Sequence, residues 1–148
     1  MKPVFILVII FFSFYLRATT FYVSSSNGNN NNNGLSAQFP FNSLDKLNTM
    51  SFFPGDTILF KSGDYFQGMF WIKGSGSFQQ PIILDSYAGI VKPIINGNGY
   101  QAAILIYNNE HICINNLEIS NVGSHLDLSG NIKRLNGFGG AAIFWGSG

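Results

Sequence analysis

The sequence predicts an all-β solenoid, a fold in which short strands stack in successive coils. Beyond position 57, short apolar runs end repeatedly in Gly, Asn or Ser, and the spacing of an amphipathic helix is missing. Two aliphatic runs, starting at Ile82 and Ala103, lie 21 residues apart, which is a period typical of solenoid repeats. The 17 Gly residues and the charged fraction of only 10% fit a chain with many tight corners.

Residues 1–18 have the pattern of a signal peptide. Lys2 gives a short positive start, residues 4–16 are apolar apart from Ser13, and Ala18 offers a small residue for cleavage. A membrane span needs about 20 apolar residues, so this run is short for one. We therefore assign 1–18 to a signal and 19–148 to the mature domain, with no stable membrane span after cleavage. A retained N-terminal anchor stays open as the alternative.

Charge and cysteine content exclude several classes of protein. The 8 Lys+Arg and 7 Asp+Glu residues give a net charge of +1, which provides no basic surface for nucleic acid. The single cysteine, Cys113, cannot form an internal disulfide. An exported domain of this composition must therefore be stabilised by packing and hydrogen bonds.

The first part of the mature chain combines a strand, a polar loop and one helix. Residues 21–23 form the strand, and the loop 24–34, which contains five consecutive asparagines, is expected to be mobile at the surface. Residues 43–50 are the only helix candidate. Ser43 serves as its N-cap, and three apolar residues recur along one side of it: Leu44, Leu47 and Met50.

The remaining chain is predicted to be short strands separated by corners. The predicted strands are 57–60, 68–72, 81–85, 92–96, 102–106, 111–114, 117–119 and 141–145. A glycine-rich stretch, 121–140, is predicted to protrude as a loop. Within 108–121, the Asn115-Asn116 pair makes a corner, because Asn tolerates left-handed backbone. Alternation points the apolar residues Ile112, Ile114, Leu117 and Ile119 to one side, and His111, Cys113 and Glu118 to the other.

Seven segments, read in order, resemble the N-terminal part of proteins of the pectin-lyase-like superfamily. They are 21–24, 38–44, 54–58, 63–65, 81–84, 92–97 and 112–120. The resemblance implies a right-handed parallel β-helix with a short N-terminal capping helix, of which residues 19–148 are the cap and first coils and the C-terminal coils are missing. It also implies a secreted or cell-surface protein, a periplasmic location staying open.

Relatives of this kind act on or bind polysaccharide, many as lyases of acidic polysaccharides and others as glycoside hydrolases. The resemblance therefore implies an exported protein that binds or degrades polysaccharide. The alternative is a noncatalytic surface adhesin or structural β-helix. Further coils with clustered carboxylates and Lys or Arg would favour the enzyme, since the lyase and the hydrolase reactions both need charged groups at the active site.

No catalytic residue can be assigned from the sequence, and the candidates are for substrate binding only. Tyr107 and Phe144 are expected to offer outward rings for sugars, with Phe144 stacked on the outward-facing Leu105, and Lys133 and Arg134 to pair with a uronate carboxylate. The acids Glu110, Glu118 and Asp127 are too scattered to predict a metal site, and surface roles are expected for His111 and His125. No cofactor is evident, and calcium stays open for a longer chain.

Overall fold

The computed structural model describes residues 18–123, and this part of the chain is mostly β-strand with one short helix. The elements in chain order are β1 Thr20–Val23, α1 Leu44–Asn48, β2 Thr57–Lys61, β3 Tyr65–Gln67, β4 Phe70–Ile72, β5 Ile82–Tyr87, β6 Ile94–Asn96, β7 Ile104–Ile106, β8 Ile112–Ile114 and β9 Glu118–Ser120. The predicted strand 141–145 and most of the predicted loop 121–140 lie outside the described residues.

The strands form three sheets, and every strand pairing within them is parallel. Sheet A has the order β1-β2-β5-β8, sheet B has β3-β6-β9, and sheet C has β4-β7. From β2 onward the chain therefore visits sheets A, B and C in turn and then returns to A. The prediction of an all-β fold with parallel strands is confirmed, and the strand order fits a parallel β-helix at a coarse level.

The register places apolar residues directly above one another in the core. In sheet A, Ile58 pairs with Leu84, which pairs in turn with Ile114. In sheet B, Phe66 pairs with Ile95, and both side chains are buried. Because a shift by one residue would point each of these side chains at solvent, the burial pattern fixes the register.

Phenylalanine fills the core near the N-terminal end of the stack. Phe60 makes edge-to-face contacts with Phe66 and Phe70, with ring centroids 5.2 and 6.3 Å apart. Phe52, from the segment after α1, packs on Phe70 at 6.1 Å and on Phe21 of β1 at 5.8 Å. These rings attach β1 and the α1 segment to the first coil, and edge-to-face pairs stabilise beyond the area that they bury.

The helix and the corner motif were predicted correctly. Ser43 is the N-cap of α1, accepting a hydrogen bond from the backbone N–H of Lys46 at 3.4 Å, and Leu44 and Leu47 are buried. The helix ends at Asn48, two residues before the predicted end. Asn116 adopts a φ of 50°, as expected for an asparagine corner. No helix within residues 18–123 has the length and hydropathy needed to cross a membrane.

The predicted 21-residue repeat is wrong. Ile82 pairs with Ile112 in sheet A, whereas Ile104 pairs with Phe70 in sheet C, so the two runs that suggested the repeat belong to different sheets. The advance from a strand to its partner is 24 residues from Ile94 to Glu118 but 34 residues from Phe70 to Ile104. Corners of unequal length thus hide the true repeat from inspection of the sequence.

The loop at 24–34 lies on the surface, as predicted, and hydrogen bonds attach it to β1 and to the segment that follows it. The backbone N–H of Tyr22 donates to the carbonyl oxygen of Gly34 at 2.7 Å, and the N–H of Phe41 donates to the carbonyl oxygen of Tyr22 at 2.9 Å. Asn29 and Asn32 both donate to the carbonyl oxygen of Pro40. The loop and the segment after it therefore satisfy both backbone groups of Tyr22 that no strand pairs with, and they cover this part of the edge of sheet A.

Two glycines of equal backbone conformation allow the packing of the first coil to be tested. Gly74 and Gly68 have φ values of 108° and 111°. A Cβ atom at Gly74 would overlap the carbonyl oxygen of Phe52, whereas one at Gly68 would meet nothing within 4 Å. Both alanine substitutions introduce left-handed strain of about 1–2 kcal/mol. We expect Gly74→Ala to lower the free energy of unfolding by about a further 1–3 kcal/mol because of this overlap.

Urea unfolding of the two variants measures this difference directly. Equal losses for Gly68→Ala and Gly74→Ala would contradict the close approach of residues 52 and 74.

Candidate functional site

The structure describes the position of only one of the four sequence-predicted binding residues. Tyr107 follows β7 and is 55% exposed, and its backbone N–H donates to Oδ1 of Asn109 at 3.0 Å. Phe144, Lys133 and Arg134 lie outside the described residues, as do His125 and Asp127. A site that combines Tyr107 with these residues therefore stays a prediction.

Leu105 lies on the outer side of sheet C, as the alternation predicts, but it is buried. Leu105 pairs with Trp71, and the alternation of β4 places Trp71 on the outer side of sheet C. Only 7% of Leu105 is exposed, although it shares this side with Trp71, which is 36% exposed. The outward direction expected for Leu105 agrees with the structure, and its expected contact with Phe144 lies outside the described residues.

The acids and the histidine of the corner motif do not assemble into a site. Glu110 precedes β8, where its backbone N–H donates to Oγ of Ser75 at 3.1 Å, while Glu118 begins β9 in sheet B. His111 and Cys113 are exposed. Within residues 18–123, no three His, Cys, Asp or Glu side chains are grouped so that they could hold a metal ion.

Two cavities lie beside helix α1 and strand β3 and share Gln67, and we call them together the cap groove and each of them a half. One half has a volume of about 270 Å³ and the other of about 190 Å³, and Gln67 lines both. The first half is lined by Asp45, Asn48, Gln67, Gly68, Met69, Asn98 and Tyr100. The second half is lined by Ser25, Asn42, Ser43, Leu44, Tyr65, Phe66 and Gln67. Amides, hydroxyls and two tyrosines predominate, and Asp45 is the one charged residue in these two sets.

Asn48 fixes the helix side of the groove against the first coil. Its Oδ1 accepts from the backbone N–H of Trp71 at 2.8 Å, and its Nδ2 donates to the carbonyl oxygen of Met69 at 2.8 Å. Nζ of Lys73 donates to the backbone carbonyl oxygen of Asn48 at 2.6 Å. The last residue of α1 is therefore bonded to β4 and to both residues that flank it, which fixes the C-terminal end of the helix on the first coil.

Tyr65 presents an aromatic ring on the other side of the groove. It is 44% exposed on the outer side of sheet B, and its hydroxyl accepts from Nδ2 of Asn96 at 2.6 Å. Oδ1 of Asn96 accepts from the backbone N–H groups of Asn98 and Val122, both at 2.9 Å. Because Asn96 is buried and both its Oδ1 and its Nδ2 are hydrogen-bonded, it holds the Tyr65 hydroxyl in one place.

The geometry suits a ligand that is polar at its edges and apolar on its faces. The ring of Tyr65 offers a flat apolar surface, and the exposed side chains of Gln67 and Asp45 offer hydrogen-bonding groups. A few polar groups placed around an apolar wall are the usual composition of a small-molecule site. Among the residues that line the two halves, Asp45 is the one carboxylate.

A buried carboxylate supports the groove from behind. Asp64 accepts from Oγ of Ser24 and Oγ of Ser26, both at 2.8 Å, and Nζ of Lys61 donates to Oγ of Ser26 at 3.2 Å. These bonds attach the start of loop 24–34 to the residue just before β3. Ser25, which lines the groove, lies between the two serines that Asp64 holds.

Sequence reasoning missed the cap groove because strand β3 was not predicted. Tyr65 and Gln67 point outward around the buried Phe66, between the buried Asp64 and the left-handed Gly68. This alternation bounded by a turn residue was a detectable signal for a strand. The position of α1 opposite β3 could not be read from the sequence, since it depends on contacts across more than 20 positions.

Comparison with known proteins gave matches among solved structures. Neither a family model nor a curated protein matches the sequence. Two crystal structures of a GH136 lacto-N-biosidase from Eubacterium ramulus, a selenomethionine derivative and the native protein, are each similar to this chain with 30% sequence identity and a TM-score of 0.65. Each match covers 72% of this chain and 21% of that chain. The chain thus spans about a fifth of the length of this glycoside hydrolase.

The tyrosine beside the Asp64 cluster gives the fold a measurable dependence on alkaline pH. Burial, followed by the charge of Asp64 and by Tyr22, raises the pKa of Tyr87 above its ordinary value of 10.0. The unfolded chain therefore loses this proton at a lower pH than the folded chain does. The contribution of Tyr87 to the free energy of unfolding is therefore complete below pH 10 and decreases as the pH rises toward the pKa of Tyr87 in the folded chain.

We expect the Tyr87→Phe substitution to reduce the fall in unfolding free energy above pH 10. Urea unfolding of the wild type and of Tyr87→Phe at closely spaced alkaline pH values measures this fall in unfolding free energy. Parallel curves for the wild type and Tyr87→Phe would contradict the raised pKa.

Proposed function

We propose that this chain is the cap and first coils of an exported right-handed parallel β-helix protein that binds or degrades polysaccharide, and that the cap groove contacts the glycan. The observation that carries the proposal is the likeness to a glycoside hydrolase at 30% identity over 72% of the chain. The cyclic order of the three parallel sheets supports the β-helix, and the superfamily resemblance supports its right-handed form.

The groove residues take separate parts in this proposal. The ring of Tyr65 stacks on the apolar face of a sugar, while Gln67 and Asp45 hydrogen-bond to its hydroxyl groups. Asn96 holds the Tyr65 hydroxyl, so that the ring is ordered before the ligand arrives. Pre-ordering of this kind strengthens binding because less conformational freedom is lost on association.

Export and location are part of the same proposal. The apolar run 4–16 after Lys2 supports cleavage of a signal at about position 18, followed by secretion or display at the cell surface. With one cysteine the chain forms no internal disulfide, so its folding does not depend on the redox state of the compartment. This composition is therefore compatible with export.

A noncatalytic surface β-helix is the second candidate function. It is favoured by the lining of the groove, where Asp45 is the single carboxylate, because hydrolysis of a glycoside requires two carboxyl groups across the bond. Release of lacto-N-biose from an oligosaccharide, or of unsaturated ends from pectate, alginate or chondroitin, by the purified chain would favour the enzyme instead.

Glycan binding is tested with one variant of the groove and one matched variant outside it. We expect Tyr65→Ala to weaken binding about tenfold, which corresponds to about 1.4 kcal/mol, because the stacking ring is lost. Tyr107→Ala removes an exposed ring of the same kind at the end of sheet C and should leave affinity unchanged if the cap groove is the site. Calorimetric titration with an oligosaccharide ending in lacto-N-biose, and with pectate, alginate and chondroitin, provides the dissociation constants.

The two tyrosines also separate the structure-based site from the sequence-based one. Loss of binding in Tyr107→Ala with full affinity in Tyr65→Ala would move the site to sheet C. Absence of binding to every glycan of the panel would overturn the proposed function.

A further inference from the structure

We propose that the asparagine tract is a clamp that shapes the cap groove, and that Asn30 is its positioning residue. This inference rests on the proposed function, because it assigns a role within the same glycan site. The tract had no role in the sequence-based interpretation except as a polar surface loop. In the structure it contacts the segment that forms one side of the groove.

Asn30 makes three hydrogen bonds to two consecutive residues at the start of α1. Its Oδ1 accepts from the backbone N–H groups of Asn42 and Ser43 at 2.9 and 3.2 Å. Its Nδ2 donates to Oγ of Ser43 at 2.9 Å. The two backbone groups can only donate, so the atom facing them must be the amide oxygen, and this orientation of Asn30 is fixed by chemistry.

Both residues held by Asn30 line the groove. Asn42 and Ser43 belong to the same half as Tyr65. Nδ2 of Asn42 donates in turn to the backbone carbonyl oxygen of Ser25 at 3.1 Å, and Ser25 lines this half as well. One exposed side chain thus connects to three lining residues while Asn30 itself is absent from the lining.

The helix needs this support because it is short. α1 has five residues, and its capping bond from the N–H of Lys46 to Oγ of Ser43 is long, at 3.4 Å. An isolated helix of this length is unstable, so its position depends on contacts outside it. Asn30 holds the N-terminal end and Asn48 the C-terminal end, and the groove lies alongside the helix between them.

The tract contains its own control residue. Asn31 is exposed, and its hydrogen bond to the tract is made by the backbone N–H, which donates to Oδ1 of Asn29 at 2.9 Å. Asn31→Ala therefore keeps this bond and changes the composition of the tract as much as Asn30→Ala does. Asn30→Asp retains an oxygen acceptor for the two backbone groups and is the conservative variant.

The experiment measures hydrogen exchange of residues 42–50 and glycan affinity in the full chain. Asn30→Ala should raise exchange in this segment about fivefold or more, as local opening becomes easier. It should also weaken binding of the tightest glycan of the panel about tenfold. Asn31→Ala should change neither quantity, and Asn30→Asp should restore both most of the way.

Ile82→Val distinguishes positioning from general loss of stability. Ile82 is fully buried in sheet A, and removal of one methyl group lowers stability without contact with the groove. It should lower the melting temperature and leave exchange at 42–50 and affinity unchanged. Equal effects of Ile82→Val and Asn30→Ala, or of Asn30→Ala and Asn31→Ala, would overturn the clamp.

The exchange measurement also separates this inference from the function on which it rests. If the wild type binds no glycan but Asn30→Ala still exposes residues 42–50 and Asn31→Ala does not, the proposed function fails and the clamp stands as a structural device. If Asn30→Ala does not fold, Asn30→Asp is the deciding variant. Exchange of residues 42–50 close to that of the wild type supports the clamp, and clearly faster exchange contradicts the assigned bonds.

Discussion

Closure of the first strand's open edge is the constraint on which the rest of the described structure depends. Parallel strands stacked in coils satisfy one another's backbone groups, but the outermost strand leaves a row unpaired, which invites association with other chains. Here the outward N–H and carbonyl groups of Tyr22 on β1 are satisfied by Gly34, at the end of the loop, and by Phe41, in the segment after it. The loop can do this only because it is itself held by Asp64 and by the carbonyl oxygen of Pro40.

The same closure creates the groove. To cover the end of the stack, the chain passes from the loop into α1, whose apolar residues Leu44 and Leu47 lie on the phenylalanine-rich end of the core. The space left between α1 and β3 is lined by polar side chains, since both elements turn their apolar sides to the core.

Local features of the fold were predictable from the sequence, and its long-range register was not. The Ser43 cap, the apolar side of α1 and the left-handed Asn116 each follow from the chemistry of a few neighbouring residues. The pairing of Ile82 with Ile112 depends on corner lengths that vary from coil to coil, so apparent similarity to the run at Ala103 was misleading. The groove could not be predicted for the same reason, because it requires knowing which strand lies opposite α1.

The most direct test of this account is a map of hydrogen exchange over the whole chain, with and without a saturating oligosaccharide that ends in lacto-N-biose. The account predicts slower exchange in residues 42–50, 65–69 and 96–100, which surround the cap groove, and no change in the segment 104–111 around Tyr107. Protection confined to 104–111, or no protection anywhere, would contradict the assignment of the groove as the carbohydrate site.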